Sequence, residues 1–356
     1  MAEYVADYDY ALPAHLIAQY PAAVRGGGRL LHLSDSVVIR RFAALPGLLR
    51  RGDLLVVNNT RVLPARLTGH KTADNRRGGN NTEGAKAEIL AERFYDNGEM
   101  LAQVKCGGAL KPGMTITAGG VFVFLRRQGE FCRLRAVGKD GKAVEARRRF
   151  LRHGQTPLPP YIRRAADNED SGRYQTLFAR TAAASAAAPT AGLHFDNALL
   201  RAVKNRGITI APITLHIGAG TFKPLRHKQL AKCKLHSEQY DIGKKTAAAI
   251  GKTKKQGGRI VAIGTTTLRA LEASALQNGG EVCAGGGETD LFIRPGFAFR
   301  TADLLLTNFH LPHSSLLVLV CAFGGRARVL DAYRRAAAAQ MRFFSYGDAM
   351  LLDRRQ

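Results

Sequence analysis

From about Thr60 to Phe150 the chain alternates apolar and polar residues in short runs, AEILAERF, MLAQVKC, MTITAGGVFVFLRR and EFCRLRAV. A period of two sends successive side chains to opposite faces, so each run predicts a half-buried strand. Asp96-Asn97-Gly98 and Lys139-Asp140-Gly141-Lys142 stand between runs as turn signals and predict antiparallel hairpins. Gly78-Gly79-Asn80-Asn81-Thr82 reads as a mobile hairpin tip within the same set. The set predicts a small all-β barrel. After it, the prolines of TPLPPY (156–161) impose an extended path, and the charged stretch RRAADNEDSGR marks a boundary.

Beyond the boundary the pattern lengthens. DNALLRAVKNRG reads as an amphipathic helix with a glycine stop, ITIAPITLHI as a strand, and RIVAIG as a strand leading into the helix TTTLRALEAS. LLLTNF predicts a strand before the buried helix SSLLVLVCAF, and VLDAYRRAAAAQ a last helix. Strands alternating with helices predict an α/β core with much parallel pairing. The run LLVVN (54–58) returns the N-terminal segment to that core, so residues 61–150 are an inserted β-barrel domain and residues 1–60 with 151–356 form the α/β domain.

A chain of 356 residues has room for about two domains, and 46% hydrophobic with 23% charged residues describes an ordinary globular protein. Charge changes the picture. Fifty-three Lys and Arg against 28 Asp and Glu leave +25, which favours a polyanionic partner, although a general drift of surfaces toward arginine gives the same total. Between Ser171 and Ser237 there are ten basic residues and one acid, Asp196, so this window is a candidate electrostatic footprint. Arg201, Lys204 and Arg206 lie on or just after one helix, whereas Lys223, Arg226, Lys228, Lys232 and Lys234 follow a glycine loop. Cys106, Cys132, Cys233, Cys283 and Cys321 are scattered and odd in number, which indicates neither a disulfide framework nor a zinc ribbon and fits a reducing cytoplasm. MAEYVADYDY does not read as a signal peptide, and the apolar run from Leu316 to Phe323 is shorter than the ~20 residues a membrane span takes.

The glycine loop in ITLHIGAGTF (213–222) resembles a dinucleotide-binding turn, but Pro224 prevents a helix from starting at once and Lys223 stands where the third glycine belongs. In GTTTLR (264–269) a strand gives way to a helix whose hydroxyls and N–H groups suit a phosphate or carboxylate, or merely cap the helix. APTAGLHF (188–195) places a turn, a hydroxyl and His194 before a helix. His194 can shuttle protons or simply bond backbone; His216, by the alternation LHI, points away from its apolar neighbours. The pairs His310-x-x-His313 and Cys233-x-x-His236 lack further convergent ligands, so no metal is expected.

Taken in order, ten blocks resemble the S-adenosylmethionine:tRNA ribosyltransferase-isomerases of queuosine synthesis. They are LIAQYPA (16–22), GDLLVVNNTRVLPARL (52–67), PLPPYI (157–162), RYQT (173–176), AAPTAGLHFD (187–196), TLHIGAGTFKP (214–224), HSE (236–238), GTTTLRALE (264–272), TNFHLP (307–312) and RFFSYGDAM (342–350). The tract TAAASAAAPT lacks the Pro-Gly usual in that family, and Met341 replaces a usual aromatic. The resemblance implies a large mixed α/β, barrel-like domain carrying the small antiparallel β-barrel. It also implies transfer and isomerisation of the ribosyl part of S-adenosylmethionine onto a 7-aminomethyl-7-deazaguanine at the tRNA wobble position. Adenine and methionine leave; S-adenosylmethionine is consumed rather than held as a cofactor, and a cytoplasmic monomer is expected. His194, His216, Glu238 and His310 then become acid and base candidates. Thr190, Gly192, Gly218, Gly220, Thr221, Thr265, Thr266 and Arg269 become substrate contacts, with Asn58, Asn59 and Arg61 reading the deazaguanine edge.

Overall fold

The computed structural model describes residues 5–72, 84–180, 185–218 and 234–355. The tip Gly78–Thr82 lies outside them. The strands are β1 (Arg29–Leu33), β2 (Val37–Arg41), β3 (Leu54–Asn58), β4 (Arg66–Lys71), β5 (Lys86–Phe94), β6 (Glu99–Cys106), β7 (Thr115–Thr117), β8 (Val121–Gln128), β9 (Phe131–Val137), β10 (Thr209–Leu215), β11 (Lys234–Ile242), β12 (Ile260–Ile263), β13 (Gly285–Leu291), β14 (Leu304–Asn308) and β15 (Ala349–Asp353). Helices of two turns or more are α1 (Ala146–His153), α2 (Asn197–Asn205), α3 (Lys244–Lys255), α4 (Thr265–Gln277), α5 (Ser315–Gly324) and α6 (Arg326–Ala338).

The alternating runs close into an antiparallel barrel in the order β4-β5-β6-β9-β8-β7. Ala87, Ile89 and Ala91 of β5 face its interior with Phe122 and Phe124 of β8 and Leu134 of β9, while α1 adds Ala146 and Phe150 to the same core. Phe150 packs edge-on against Phe94 and Phe122, with ring centroids 5.5 and 5.9 Å away.

Among the described residues the larger sheet has nine strands in the order β13-β11-β10-β3-β12-β14-β15-β1-β2. At its centre β10, β3, β12 and β14 run parallel. A strand covered on both faces reads as an unbroken apolar run, and LLVVN of β3 does so. Its Leu54 and Val56 pack with Ile250 of α3 and Leu268 and Leu271 of α4 on one face. Leu55 and Val57 pack with Leu199 and Val203 of α2 on the other. The Asp196 carboxylate starts α2 by accepting the Leu199 N–H at 2.7 Å, and Gly207 ends it at φ +73°.

The barrel enters after β3, and the chain returns beside the point of departure, where Val62 bridges to Ser185. β10 then pairs on one side of β3 and β12 on the other. Reversal of strand order beside β3 opens a crevice at the carboxyl ends of the parallel strands, where open α/β sheets receive ligands.

Candidate active site

Polar residues stand at or just past each of those ends: Asn58 on β3, His216 after β10, Thr265 and Thr266 after β12, Asn308 and His310 at β14. Two cavities open there. One, of about 960 Å³, lies between barrel and sheet and is lined by Glu92, Phe131, Arg147, His216, Gly218 and Glu238. The other, of about 140 Å³, is lined by Tyr161, Thr190, Thr265, Thr266, His310 and Phe344. Ile217 borders both.

In the larger cavity His216 is held by a chain of hydroxyls. The Ile217 N–H donates to Ser185 Oγ at 2.9 Å, Ser185 Oγ lies 2.7 Å from Thr60 Oγ1, and Thr60 Oγ1 lies 2.9 Å from His216 Nδ1. Ser185 and Thr60 are fully buried, so each hydroxyl proton needs an acceptor within the protein. Among the described residues one direction satisfies both: Ser185 donates to Thr60, and Thr60 donates to Nδ1. His216 is thereby a neutral imidazole with its proton on Nε2. Burial, and then the Arg147 charge, hold its pKa below the ordinary value, which agrees.

Glu238 on β11 pairs with Arg269 on α4, both nearly inaccessible, and accepts the Gly218 N–H at 3.3 Å on its other oxygen. Arg269 also donates to the Leu291 carbonyl at 3.1 Å. Its positive charge already faces a carboxylate, while its Nη2 is buried with no hydrogen-bond partner among the described residues. A Cβ on Gly218 would sit 2.1 Å from Glu92 Oε1, so glycine is what lets the barrel's carboxylate close on the backbone.

Around the smaller cavity, Thr190 donates to Asn308 Oδ1 at 3.0 Å, while Asn308 Nδ2 donates to the Phe344 carbonyl at 3.0 Å and meets His194 Nε2 at 3.1 Å. A carbonyl only accepts, so the amide orientation is fixed and His194 Nε2 must accept as well. Burial drives the His194 pKa down to about 4, and Phe42 stacks on the ring at 4.8 Å. His194 is therefore a neutral group behind Asn308, lining a separate recess rather than either cavity. His310 lies in the cavity wall, Nε2 2.9 Å from Thr307 Oγ1, with burial pushing its pKa down to about 3.

Several of the expected contacts also brace the fold. The Asn58 amide donates to the Leu215 carbonyl at 2.9 Å and to Thr266 Oγ1 at 3.4 Å, and accepts the N–H groups of Thr60 and Leu215. Asn59 accepts from Thr214 at 2.7 Å, and Arg61 donates to the Ala179 carbonyl at 3.2 Å. Those bonds tie β3 to β10 and to the returning chain, while the exposed Arg61 guanidinium keeps N–H donors beyond its carbonyl bond. Gly192 sits in the 3₁₀ turn Thr190–His194, where a Cβ would come within 2.9 Å of Thr176 Cγ2. Lys204 and Arg206 flank the start of β10, whose Thr209 pairs with Leu54, the end of the sheet away from the crevice. Arg201 is exposed on α2. Lys234 pairs with Asp290 at 3.0 Å. Gly220, Thr221, Lys223, Arg226, Lys228 and Lys232 lie outside the described residues.

Residues 5–352 match the family described as queuosine biosynthesis protein. The chain belongs to this family. It is 51% identical to the S-adenosylmethionine:tRNA ribosyltransferase-isomerase of Azoarcus sp. (strain BH72), over 98% of this chain and 97% of that one. The protein of the same description from Herminiimonas arsenicoxydans is 46% identical, over 98% of each chain. The crystal structure of S-adenosylmethionine tRNA ribosyltransferase from Thermotoga maritima superposes with a TM-score of 0.54 at 32% identity, covering 97% of this chain and 99% of that one. The protein is thus an enzyme of the queuosine biosynthesis family. Within its site, the sequence reading passed over Thr60, Ser185 and Asn308, which fix the two histidines. Among the described residues no helix is long and apolar enough to cross a membrane.

Proposed function

We propose that the enzyme transfers the ribosyl part of S-adenosylmethionine to the aminomethyl group of a 7-deazaguanine at the tRNA wobble position. It rearranges that part to the epoxycyclopentane of epoxyqueuosine and releases adenine and methionine. The observation that carries this reading is the pair of unequal cavities meeting at Ile217. The larger, about 960 Å³, falls within the ~300–1,000 Å³ typical of small-molecule sites and suits the whole of S-adenosylmethionine. Carboxylates of Glu92 and Glu238 either side of Gly218 suit its sulfonium, and Phe94, Tyr95 and Phe131 its adenine. The smaller, walled by Tyr161, Phe309 and Phe344 with a neutral His310, suits one flat uncharged ring, the deazaguanine.

The reaction needs an acceptor for the acidic proton beside the sulfonium, a donor for departing adenine, and exclusion of water. In this reading the carboxylates beside Gly218 are the acceptor. His216 is the donor: its Nε2–H bonds a ring nitrogen of adenine as the glycosidic bond breaks and negative charge grows there. Thr60 and Ser185 keep that proton on Nε2. S-adenosylmethionine is consumed as a substrate, and the enzyme acts in the cytoplasm as a monomer. Incubation with S-adenosylmethionine and precursor-bearing tRNA should release adenine and methionine in equal amounts by mass spectrometry. S-adenosylhomocysteine in their place would mark a methyl transfer and end this reading.

A further inference from the structure

Three arginines converge beside the smaller cavity, and among the described residues none of them has a carboxylate within ion-pair distance. Arg25, Arg173 and Arg342 line one recess with His194, Ser345 and Tyr346. Their guanidinium groups bond carbonyls instead: Arg25 those of Gln175 at 2.9 Å and Gly172 at 3.2 Å, Arg173 those of Ala22 and Ala23, Arg342 that of Tyr20 at 3.3 Å. A carbonyl orients a guanidinium without cancelling its charge. The neighbouring acids have other partners: Asp170 pairs with Arg164 at 2.6 Å, Asp348 pairs with Arg29 at 3.3 Å and accepts the Arg342 backbone N–H, and Asp196, whose charge reaches Arg25, caps α2 through the Leu199 N–H. Burial, and then the charge of Arg173, lower the Arg25 pKa, so the cluster holds like charges together at a cost.

Two further observations say what such a cluster serves. Tyr20 is 59% exposed beside it, with the Arg164 guanidinium 4.2 Å from the ring centroid, an aromatic and cationic surface of the kind on which nucleobases stack. Ser345 lines both the recess and the smaller cavity, so the arginines stand at the rim of the pocket assigned to the deazaguanine. A nucleotide whose base is turned out of its strand into that pocket leaves its phosphates at the rim.

We propose that Arg25, Arg173 and Arg342 bind the phosphodiesters flanking the modified nucleotide, with Tyr20 stacking on a neighbouring base. The inference rests on the reading of the substrate as tRNA. It moves the RNA footprint from Lys204 and Arg206, at the far end of the sheet, to the rim of the crevice. Phosphate contacts release counterions, so affinity falls with log salt by ~0.7–0.9 per contact.

The test is the salt dependence of binding to a fluorescently labelled precursor-bearing tRNA, read by anisotropy. Arg342→Gln and Arg173→Gln should each weaken binding several-fold and lower the slope by ~0.7–0.9, whereas Arg342→Lys should keep the slope. Tyr20→Ala should weaken binding with the slope unchanged. Equilibrium dialysis of S-adenosylmethionine alone should match wild type in all four. The Arg342 side chain contributes a single carbonyl bond from a half-buried position, so its variants should keep the wild-type thermal midpoint. If the wild type binds tRNA and both glutamine variants bind it with unchanged affinity and slope, the proposal is wrong and the functional reading stands. If the wild type binds no tRNA, the functional reading fails and takes this proposal with it.

Discussion

Replacing His216 by alanine should lower turnover by ~10²–10⁴, the range for loss of a positioned proton donor, with little change in stability. The ring lines a large cavity, so its removal leaves a space already continuous with solvent rather than a void in the core. The hydroxyl chain makes the prediction sharper. Thr60→Val removes the donor to Nδ1 and lets the imidazole carry its proton on either nitrogen, so turnover should fall less than in His216→Ala while substrate binding holds. Single-turnover adenine release measures both. Wild-type turnover in His216→Ala would make that residue structural. Glu238→Gln cannot be read as simply, because it also leaves Arg269 facing a neutral group in a buried site.

Acidification should unfold the protein earlier than its carboxylates alone require. His194 and His310 are neutral in the fold, with pKa values of about 4 and about 3 against 6.5 for the unreacted side chain. Between pH 6.5 and those values the unfolded chain binds a proton at each site that the folded protein does not. Stability therefore rises with pH in this window and falls on acidification, by about 1.4 kcal/mol per pH unit per histidine, or about 2.7 for the two together. Carboxylates add to this only near and below pH ~4. Urea denaturation at intervals from pH 6.5 down to pH 4 should show the slope, and His194→Asn should remove about half of it. A flat profile across that interval would mean the two imidazoles are charged or solvated in the fold.

The strands and helices were legible because burial imposes periodicity. Alternation along β5, β8 and β9 wrote the barrel, and the unbroken run in β3 wrote a strand covered on both faces. The direction of His216 followed from the same alternation, since Leu215 and Ile217 both point inward. What the sequence could not display was which polar groups satisfy one another. Asn58 and Asn59 stand side by side in the sequence, and only parallel pairing with β10 shows that their amides meet Leu215 and Thr214. That Glu238 and Arg269 pair with each other was not legible either, because only the fold brings β11 to α4. Ser185, in an alanine-rich tract, gave no signal, because its importance comes from meeting Thr60 across the whole inserted barrel. A basic window counted along the chain likewise grouped Lys204 and Arg206, before β10, with Lys234 at the start of β11. The arginines that converge in space come from three separate segments.

The central claim is that S-adenosylmethionine gives up its ribosyl part rather than its methyl group. The most direct measurement uses S-adenosylmethionine carrying one isotopic label in the ribose carbons and a different one in the methyl, followed by mass spectrometry of nucleosides from the product tRNA. The account predicts ribose label in the wobble nucleoside and methyl label in released methionine. Methyl label in the tRNA, with ribose label leaving in S-adenosylhomocysteine, would contradict it.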